Sequence, residues 1–544
     1  MTIEDALRVI DTILAEKRLN NVQELLFRQA WEGKTYAEIA EKSGYDASYV
    51  RDVGYKLWQS LSQQIGERVT KSNVQVVFRR HAARLLPVDL ISAVAITEPK
   101  QSRIDWGNAI APTRFLGREL ELENLKAKAL DPNCHLIGIF GMGGVGKTAL
   151  AIKLVEQLQK NFDLICWRSL RNAPPLVDLL TDLIQFLTNE PLPLHLLPSL
   201  QDNRETRRYR QGQLLSTLLQ LLQECPCLIV LDGIEAILRP RATAGEYLEH
   251  YEGYGELFQQ VAESRHRSSI LITSREQPQS LIPWETDSKI CGWHLQGLGA
   301  QAIALLPETS VAAEIADHYS GNPLALKIAV SGIQELFDGD LQAFWQERAT
   351  IFGGIRQLLS QHSDRLSGIE AQVIIWLALR QLPMSVTDLQ EVTTTSKSQL
   401  LEALSSLLRR SLAHRSNIGF TISPMMRAYI NEQLAEQLCS DLIAGVSSTL
   451  CQYAITPTMS GSEQSFPEIL LVKLLSYFGS RHSLNEMLLS LHGQLRQSNQ
   501  VGYGIENLKY LQSMLTTNTN SLKCIEFPPA YLKRSDTFNF HARA

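Results

Sequence analysis

The fold class this sequence predicts is an α/β core, a parallel sheet with helices on both faces, flanked by an all-α N-terminal module and by further helical segments. Three observations predict it. Apolar runs at Leu136–Phe140 and Cys227–Leu231 are near-continuous, the character of strands covered on both faces. A glycine-rich run, Gly141-Met142-Gly143-Gly144-Val145-Gly146-Lys147-Thr148, joins the first of these strands to an amphipathic segment, Ala149–Leu158. Residues 1 to about 90 carry helical periodicity throughout.

The glycine-rich run is a complete phosphate-binding loop. Its glycines let successive backbone N–H groups curl around an anion, and the helix that follows adds unpaired donors and the positive end of its dipole. Lys147 can reach the β- and γ-phosphates as a mobile charge, and the Thr148 hydroxyl is placed to ligate Mg²⁺. The Cys227–Leu231 run ends in Asp232, which should emerge at the carboxyl edge of the sheet beside Thr148 and hold Mg²⁺. Between these elements, Leu164–Trp167 reads as a strand, and helical stretches run through Leu187 and from Gln211 to Leu222. Ser269–Thr273 makes another strand, tipped by Ser274 and Arg275. Arg275 can sense a γ-phosphate or serve as a surface ion-pair arginine.

With 544 residues and 44% apolar content the chain should hold about three to five domains with substantial cores. A formal net charge of -5 excludes an overall field that draws it to nucleic acid or an anionic membrane. The eight cysteines are scattered, without a CxxC pair, so a zinc site and a disulfide framework are not expected. Glu4 and Asp5 stand where a signal peptide would be basic, and no apolar run approaches a membrane span; a cytoplasmic protein is expected.

In the N-terminal module, Thr35-Tyr36-Ala37-Glu38 forms a capping box, Ser43-Gly44 turns the chain, and Asp46 caps a second helix with Val50, Val53, Leu57 and Leu61 on its inner face. This is helix-turn-helix spacing. Arg51 and Lys56 are offset by Asp46 and Asp52, which favours a protein-docking module over a DNA reader. Arg68, Lys71, Arg79, Arg80 and Arg84 supply a basic surface downstream that keeps DNA open as a partner.

Further segments bring a family into view: Phe115-Leu116-Gly117-Arg118-Glu119, Ser274-Arg275, Gly297-Leu298 and Gly321-Asn322-Pro323-Leu324-Ala325-Leu326. Together with the phosphate loop and Asp232 they resemble, over about residues 113 to 435, the NB-ARC ATPases of the signal-transducing STAND class. The resemblance implies binding of ATP or ADP with Mg²⁺, with Phe115, Gly117, Arg118, Gly321 and Pro323 around the adenine. It implies a nucleotide-binding domain at 113–293, a small helical domain at 294–360 and a winged helix at 361–438. An N-terminal module at 1–96, a linker at 97–112 and a helical region at 439–544 complete the expected organisation. The winged helix would use Val373–Leu379, Leu401–Leu408 and a hairpin from Leu412 through Ile422.

Two positions depart from the family pattern. Ile422-Ser423-Pro424 stands where many members have Met-His-Asp, so Ser423 is the expected phosphate contact and lacks imidazolium charge. Gly233 follows Asp232 where relatives carry an acid or amide, leaving Glu235 as the nearest group to orient a water, and hydrolysis should be slow. The repeat array that usually ends such bacterial proteins is not expected here, although Phe527, Ala530, Leu532, Phe538 and Phe540 hint at a pentapeptide-like coil. The function expected is a nucleotide-controlled switch: a slow ATPase that opens, engages an effector protein through its N-terminal helices, and forms a homo-oligomer with ATP. The alternatives are a DNA-binding transcriptional regulator and a multiple-turnover remodelling ATPase.

Overall fold

The computed structural model describes residues 21–31, 34, 36–43, 46–65, 69–71, 74, 103–112, 115–190, 204–287, 289–455, 465–497 and 502–516. The chain separates into two compact units, residues 1–100 and 101–544.

In the first unit, helices Asn21–Trp31, Tyr36–Ser43 and Ala47–Ile65 enclose a core of Leu26, Phe27, Ile39, Val50, Leu57 and Leu61. The Asp46 carboxylate accepts from the Ser48 N–H at 2.8 Å and starts the third helix. Trp58 donates to the Tyr36 hydroxyl at 2.7 Å, and a side chain at Gly54 would meet the Tyr36 ring, so this glycine sets the helix crossing. Thr35, Gly44, Arg68, Arg79, Arg80, Arg84 and the Phe527–Phe540 segment lie outside the described residues.

The second unit is built on six parallel strands, β1 (Arg103–Asp105), β2 (Leu136–Phe140), β3 (Leu164–Ser169), β4 (Cys227–Asp232), β5 (Ser269–Ser274) and β6 (Ile290–His294), ordered β1-β3-β4-β5-β2-β6. Alternation of side chains explains why the strands are apolar at every position. Leu136, Phe140, Ile229, Leu231, Ile270 and Ile272 pack on one face, and Ile137, Ile139, Leu228, Val230 and Leu271 on the other. Helices Leu176–Thr188, Arg204–Glu224 and Gly253–Glu263 contribute to the first face, Glu119–Ala129 and Lys147–Leu158 to the second. Within the segment expected as a linker, Arg103–Asp105 pairs with β3 as an edge strand. Three residues with one apolar side chain carry almost no strand signal. The chain crosses from β2 to β3 over β5 and β4, which opens the crevice at the carboxyl end of β2.

After β6 the unit is mainly helical. Helices Ala312–His318, Pro323–Leu336, Leu341–Glu347 and Gly353–Ser363 lead to Gly368–Leu379, Val386–Val392 and Lys397–Arg409. The last three each begin with a serine capping box, at Ser367, Ser385 and Ser396. A hairpin follows, β7 (Ala413–Ser416) antiparallel to β8 (Gly419–Ile422), and Met384 adds a bridge to Phe420. Pro424–Ile443, Ser448–Gln452, Phe466–Phe478, Arg481–Gln497 and Gly504–Thr516 close the described chain. One hydrophobic core runs from Leu298 to Leu515 through all of these helices, so the expected boundaries near 360 and 438 are not gaps in packing.

The sheet and the helical region are joined by buried ions. Glu276, just past β5, pairs with Arg410 at 2.6 Å and with Arg365, and Arg410 reaches Glu370 at 3.0 Å. Arg410 also donates to the Ala242 carbonyl and Arg365 to that of Leu238. Glu276, Glu370 and Arg410 are at most 3% exposed by side chain, so each charge depends on its partners for compensation.

Buried histidines make this fold acid-sensitive. Burial, with His266 alongside, holds His135 down to about 4, and burial alone holds His318 at about 4. His266, His294 and His414 are lowered for the same reason. Between about pH 6.5 and 4 the unfolded chain therefore binds more protons than the folded one. Stability should be complete above pH 6.5 and fall steadily below it. Thermal melting at pH 7.5 and pH 5.0 checks this, with a clearly lower midpoint expected at pH 5.0.

Candidate functional site

The phosphate loop leaves β2 at Phe140 and enters its helix at Lys147. Gly146 precedes that helix at φ +107°, and Gly144 sits at φ +79°, conformations that favour glycine. Lys147 is buried, its ammonium donating to the carbonyls of Gly141 at 2.8 Å and Met142 at 3.0 Å. Burial lowers it to about 8; Arg275 and Arg171 push the same way, and Glu235 and Asp232 oppose them.

Across β5 from the loop, Asp232 ends β4 and is 4% exposed. Its Oδ1 accepts from Thr148 and from Thr273, both at 2.7 Å, and Arg171 lies 3.4 Å from Oδ2. A hydroxyl and a carboxylate thus meet at the mouth of the glycine loop, a donor set that suits a hard cation carrying phosphate. Thr273 and Arg171 had no sequence signal of their own; strand pairing brings the first, and the turn after β3 the second.

Glu235 and Arg275 turn to each other. The Arg275 Nε lies 3.2 Å from Glu235 Oε1, its backbone N–H donates to Oε2, and its Nη1 donates to Gln361 at 2.8 Å. Glu235 is held as a counter-ion, and Arg275 lies beside the loop, its guanidinium carbon 3.5 Å from where a Gly143 side chain would start.

Both sides of Gly143 are bonded from outside the sheet. Asn322 donates to its carbonyl at 2.9 Å, while the Asn322 Oδ1 caps the 323–336 helix by accepting from Leu324 and Ala325. The Gly143 N–H donates to His362 Nε2 at 2.8 Å. His362 is 3% exposed, and burial, with Arg275 and Lys147 next, holds it well below its ordinary range, so it acts as a neutral acceptor. Asn322 stands in a Gly-Asn-Pro helix start that marks a cap; nothing in the sequence signals its reach to the loop. His362 and Gln361 carry no pattern at all.

Ser423, the residue expected to face phosphate, has a local role as a helix cap. It N-caps the 424–443 helix, its hydroxyl accepting from the Met426 N–H at 3.3 Å. Among the described residues the histidine bonded to the loop is His362, from the 353–363 helix. Ser-Pro at a helix start is a capping signal in its own right, and the hydroxyl that accepts there keeps its own proton to donate.

The expected adenine-side residues form a second seam. Arg118, 4% exposed, donates to the carbonyls of Val145 and Gln296 and pairs with Glu121 at 2.6 Å. Phe115 is half-buried against the core on the loop-helix side of the sheet. Gly117 has φ +64° and leaves no room for a side chain against Gln301. Gly321, at φ +62°, accepts from the Leu298 N–H at 2.9 Å, and Pro323 is the first residue of its helix.

The loop glycines differ in what surrounds them. A methyl group on Gly144 would meet Leu324 Cβ at 2.7 Å and Asn322 Oδ1 at 2.8 Å, whereas at Gly146 it meets nothing within 4 Å. Gly144→Ala should therefore cost about 1–3 kcal/mol of overpacking beyond the backbone strain that both alanine variants share. Thermal melting of the two variants should show the larger loss for Gly144→Ala.

Two segments of the chain match known families. Residues 118–239 match the NB-ARC domain, and residues 1–81 match the vWA-MoxR associated protein N-terminal HTH. The chain is similar to an uncharacterized WD repeat-containing protein of Nostoc sp. (strain PCC 7120), 38% identical over 360 residues. That alignment covers 62% of this chain and 28% of the relative, so the chain spans under a third of the relative's length. Among solved structures it is similar to a STAND protein with a tetratricopeptide repeat sensor from Pyrococcus horikoshii, at 15% identity and TM-score 0.31, covering 76% of this chain and 54% of that one. A Walker-type ATPase of Pyrococcus abyssi is similar at 14% identity and TM-score 0.39, covering 59% and 99%. The phosphate loop and most of the parallel sheet thus lie in a segment that matches the NB-ARC domain, and a segment that matches a helix-turn-helix module precedes it.

Proposed function

We propose that this chain is a molecular switch that binds ADP or ATP and responds by changing how its helical region docks on the sheet. One observation carries the reading: Gly143, in the phosphate loop, is bonded through its carbonyl to Asn322 and through its N–H to His362. An anion on the loop thus bears directly on two helices that are remote in sequence. A ligand shifts such an equilibrium only by its differential affinity for the two arrangements, and these bonds are where a difference can arise.

The roles follow from the residues. Lys147 and the N–H groups of the loop hold the phosphates, and Thr148 with Asp232 would hold Mg²⁺, which would neutralise phosphate charge. Phe115, Gly117, Arg118, Gly321 and Pro323 line the adenine side. Glu235, engaged by Arg275, is poorly placed to activate water, which fits slow hydrolysis and a switch rather than a motor. We read residues 361–438, with three capped helices followed by a hairpin, as the winged helix. The helix Ala47–Ile65 exposes Tyr49 and Tyr55 beside Arg51, Asp52 and Lys56; this electrically mixed, aromatic face suits an effector protein better than DNA. Opening in ATP would free the chain to engage that effector and to oligomerise.

The purified chain should carry close to one ADP per molecule, measured by extraction and chromatography. Lys147→Ala should abolish tight ADP binding in calorimetry while leaving the circular dichroism spectrum unchanged; wild-type affinity in the variant would remove the loop from the site. Asp232→Asn should keep much of the ADP binding but lose its Mg²⁺ dependence. Sustained hydrolysis stimulated by a substrate protein would support the remodelling ATPase instead.

A further inference from the structure

We infer that Gln361 and His362, at the end of the 353–363 helix, form a latch that competes with the terminal phosphate of ATP and not with ADP. The inference rests on the nucleotide-binding reading and deepens it. His362 accepts the Gly143 N–H at 2.8 Å, and Gln361 accepts from the Arg275 guanidinium at 2.8 Å. Consecutive residues of one helix thus occupy a loop donor and the one cation that β5 delivers beside it. Leu358, one turn earlier, packs on the same glycine: a side chain at Gly143 would meet His362 Nε2 at 2.9 Å and Leu358 Cδ1 at 3.1 Å. The helix end is fitted to the loop rather than merely near it.

A backbone N–H has a single proton to donate, so an oxygen anion and a histidine nitrogen cannot both take it at full strength. The donors at the start of the 147–158 helix serve the inner phosphates, and Lys147 reaches across the β- and γ-positions. Gly143 lies three positions before Gly146, toward Arg275 and away from the helix start, and these two donors fall to the outermost phosphate. Diphosphate leaves His362 and Gln361 where they are. A third phosphate must replace both. His362 accepts the Gly143 N–H with a ring nitrogen, so it meets an incoming phosphate oxygen there as a rival acceptor. The displaced helix runs directly into Arg365, which is tied to Glu276, so its movement bears on the buried ion network.

The test compares affinities by calorimetry for a non-hydrolysable ATP analogue with Mg²⁺ and for ADP with Mg²⁺, in wild type, His362→Ala and Gln361→Ala. Removing one competing hydrogen bond should tighten analogue binding roughly two- to tenfold and leave ADP binding unchanged. Gln361 is exposed, so its variant keeps the fold even if the buried His362 change does not. A second readout uses wild type alone: carbethoxylation of His362, followed by mass spectrometry, should be faster with the analogue than with ADP. Analogue binding that is unchanged or weakened in Gln361→Ala, equal changes for both nucleotides, or equal His362 labelling in both would overturn the latch. Failure of wild type to bind either nucleotide would overturn the nucleotide-binding reading itself, and the latch with it.

Discussion

The peptide groups of Gly143 are the constraint on which the rest of this structure depends. Its carbonyl and its N–H are bonded to Asn322 and His362, and Asn322 also caps the 323–336 helix. A loop built to cradle an anion is thereby part of the packing of the helical region. Gly144, whose missing side chain admits Leu324 and Asn322, shows the same dual use. The glycines of this loop answer to phosphate and to the neighbouring helices at once, which is why the motif reaches beyond nucleotide binding.

A second attachment between sheet and helical region is made by buried ions. Glu276 follows β5 by two residues and meets Arg365 and Arg410, which come from opposite ends of the 368–409 segment. Removing one member of so buried a set leaves its partner uncompensated, at a cost of about 3–5 kcal/mol. Such a network holds while all its members are present and gives little support to intermediate positions. Arg275 and Glu276 are adjacent, so one short segment after β5 faces the phosphate loop with one residue and the ion network with the next.

The sheet was legible in the sequence because its strands are apolar on both faces, and runs such as Leu228–Leu231 admit few other readings. β1 was not, since a three-residue edge strand of Arg, Ile and Asp resembles a polar linker. The loop, Thr148 and Asp232 were readable as a local motif and as a strand end; that they meet at 2.7 Å depends on β5 lying between their strands. Asn322 was quoted within a motif, yet its tie to Gly143 spans 179 positions and leaves no local trace. His362 and Gln361 lie in an ordinary amphipathic helix and acquire meaning only through tertiary contact. Ser423 was legible as a cap from its Ser-Pro helix start, and its hydroxyl makes that cap.

The central claim is that the phosphate loop and the 353–363 helix are exclusive partners once a third phosphate is bound. Backbone hydrogen exchange over residues 353–363, in wild-type protein saturated with ADP or with a non-hydrolysable ATP analogue, tests it most directly. The account predicts slow exchange with ADP and markedly faster exchange with the analogue, with the strands of the sheet unaffected. Equal protection of the helix in both nucleotides would contradict it.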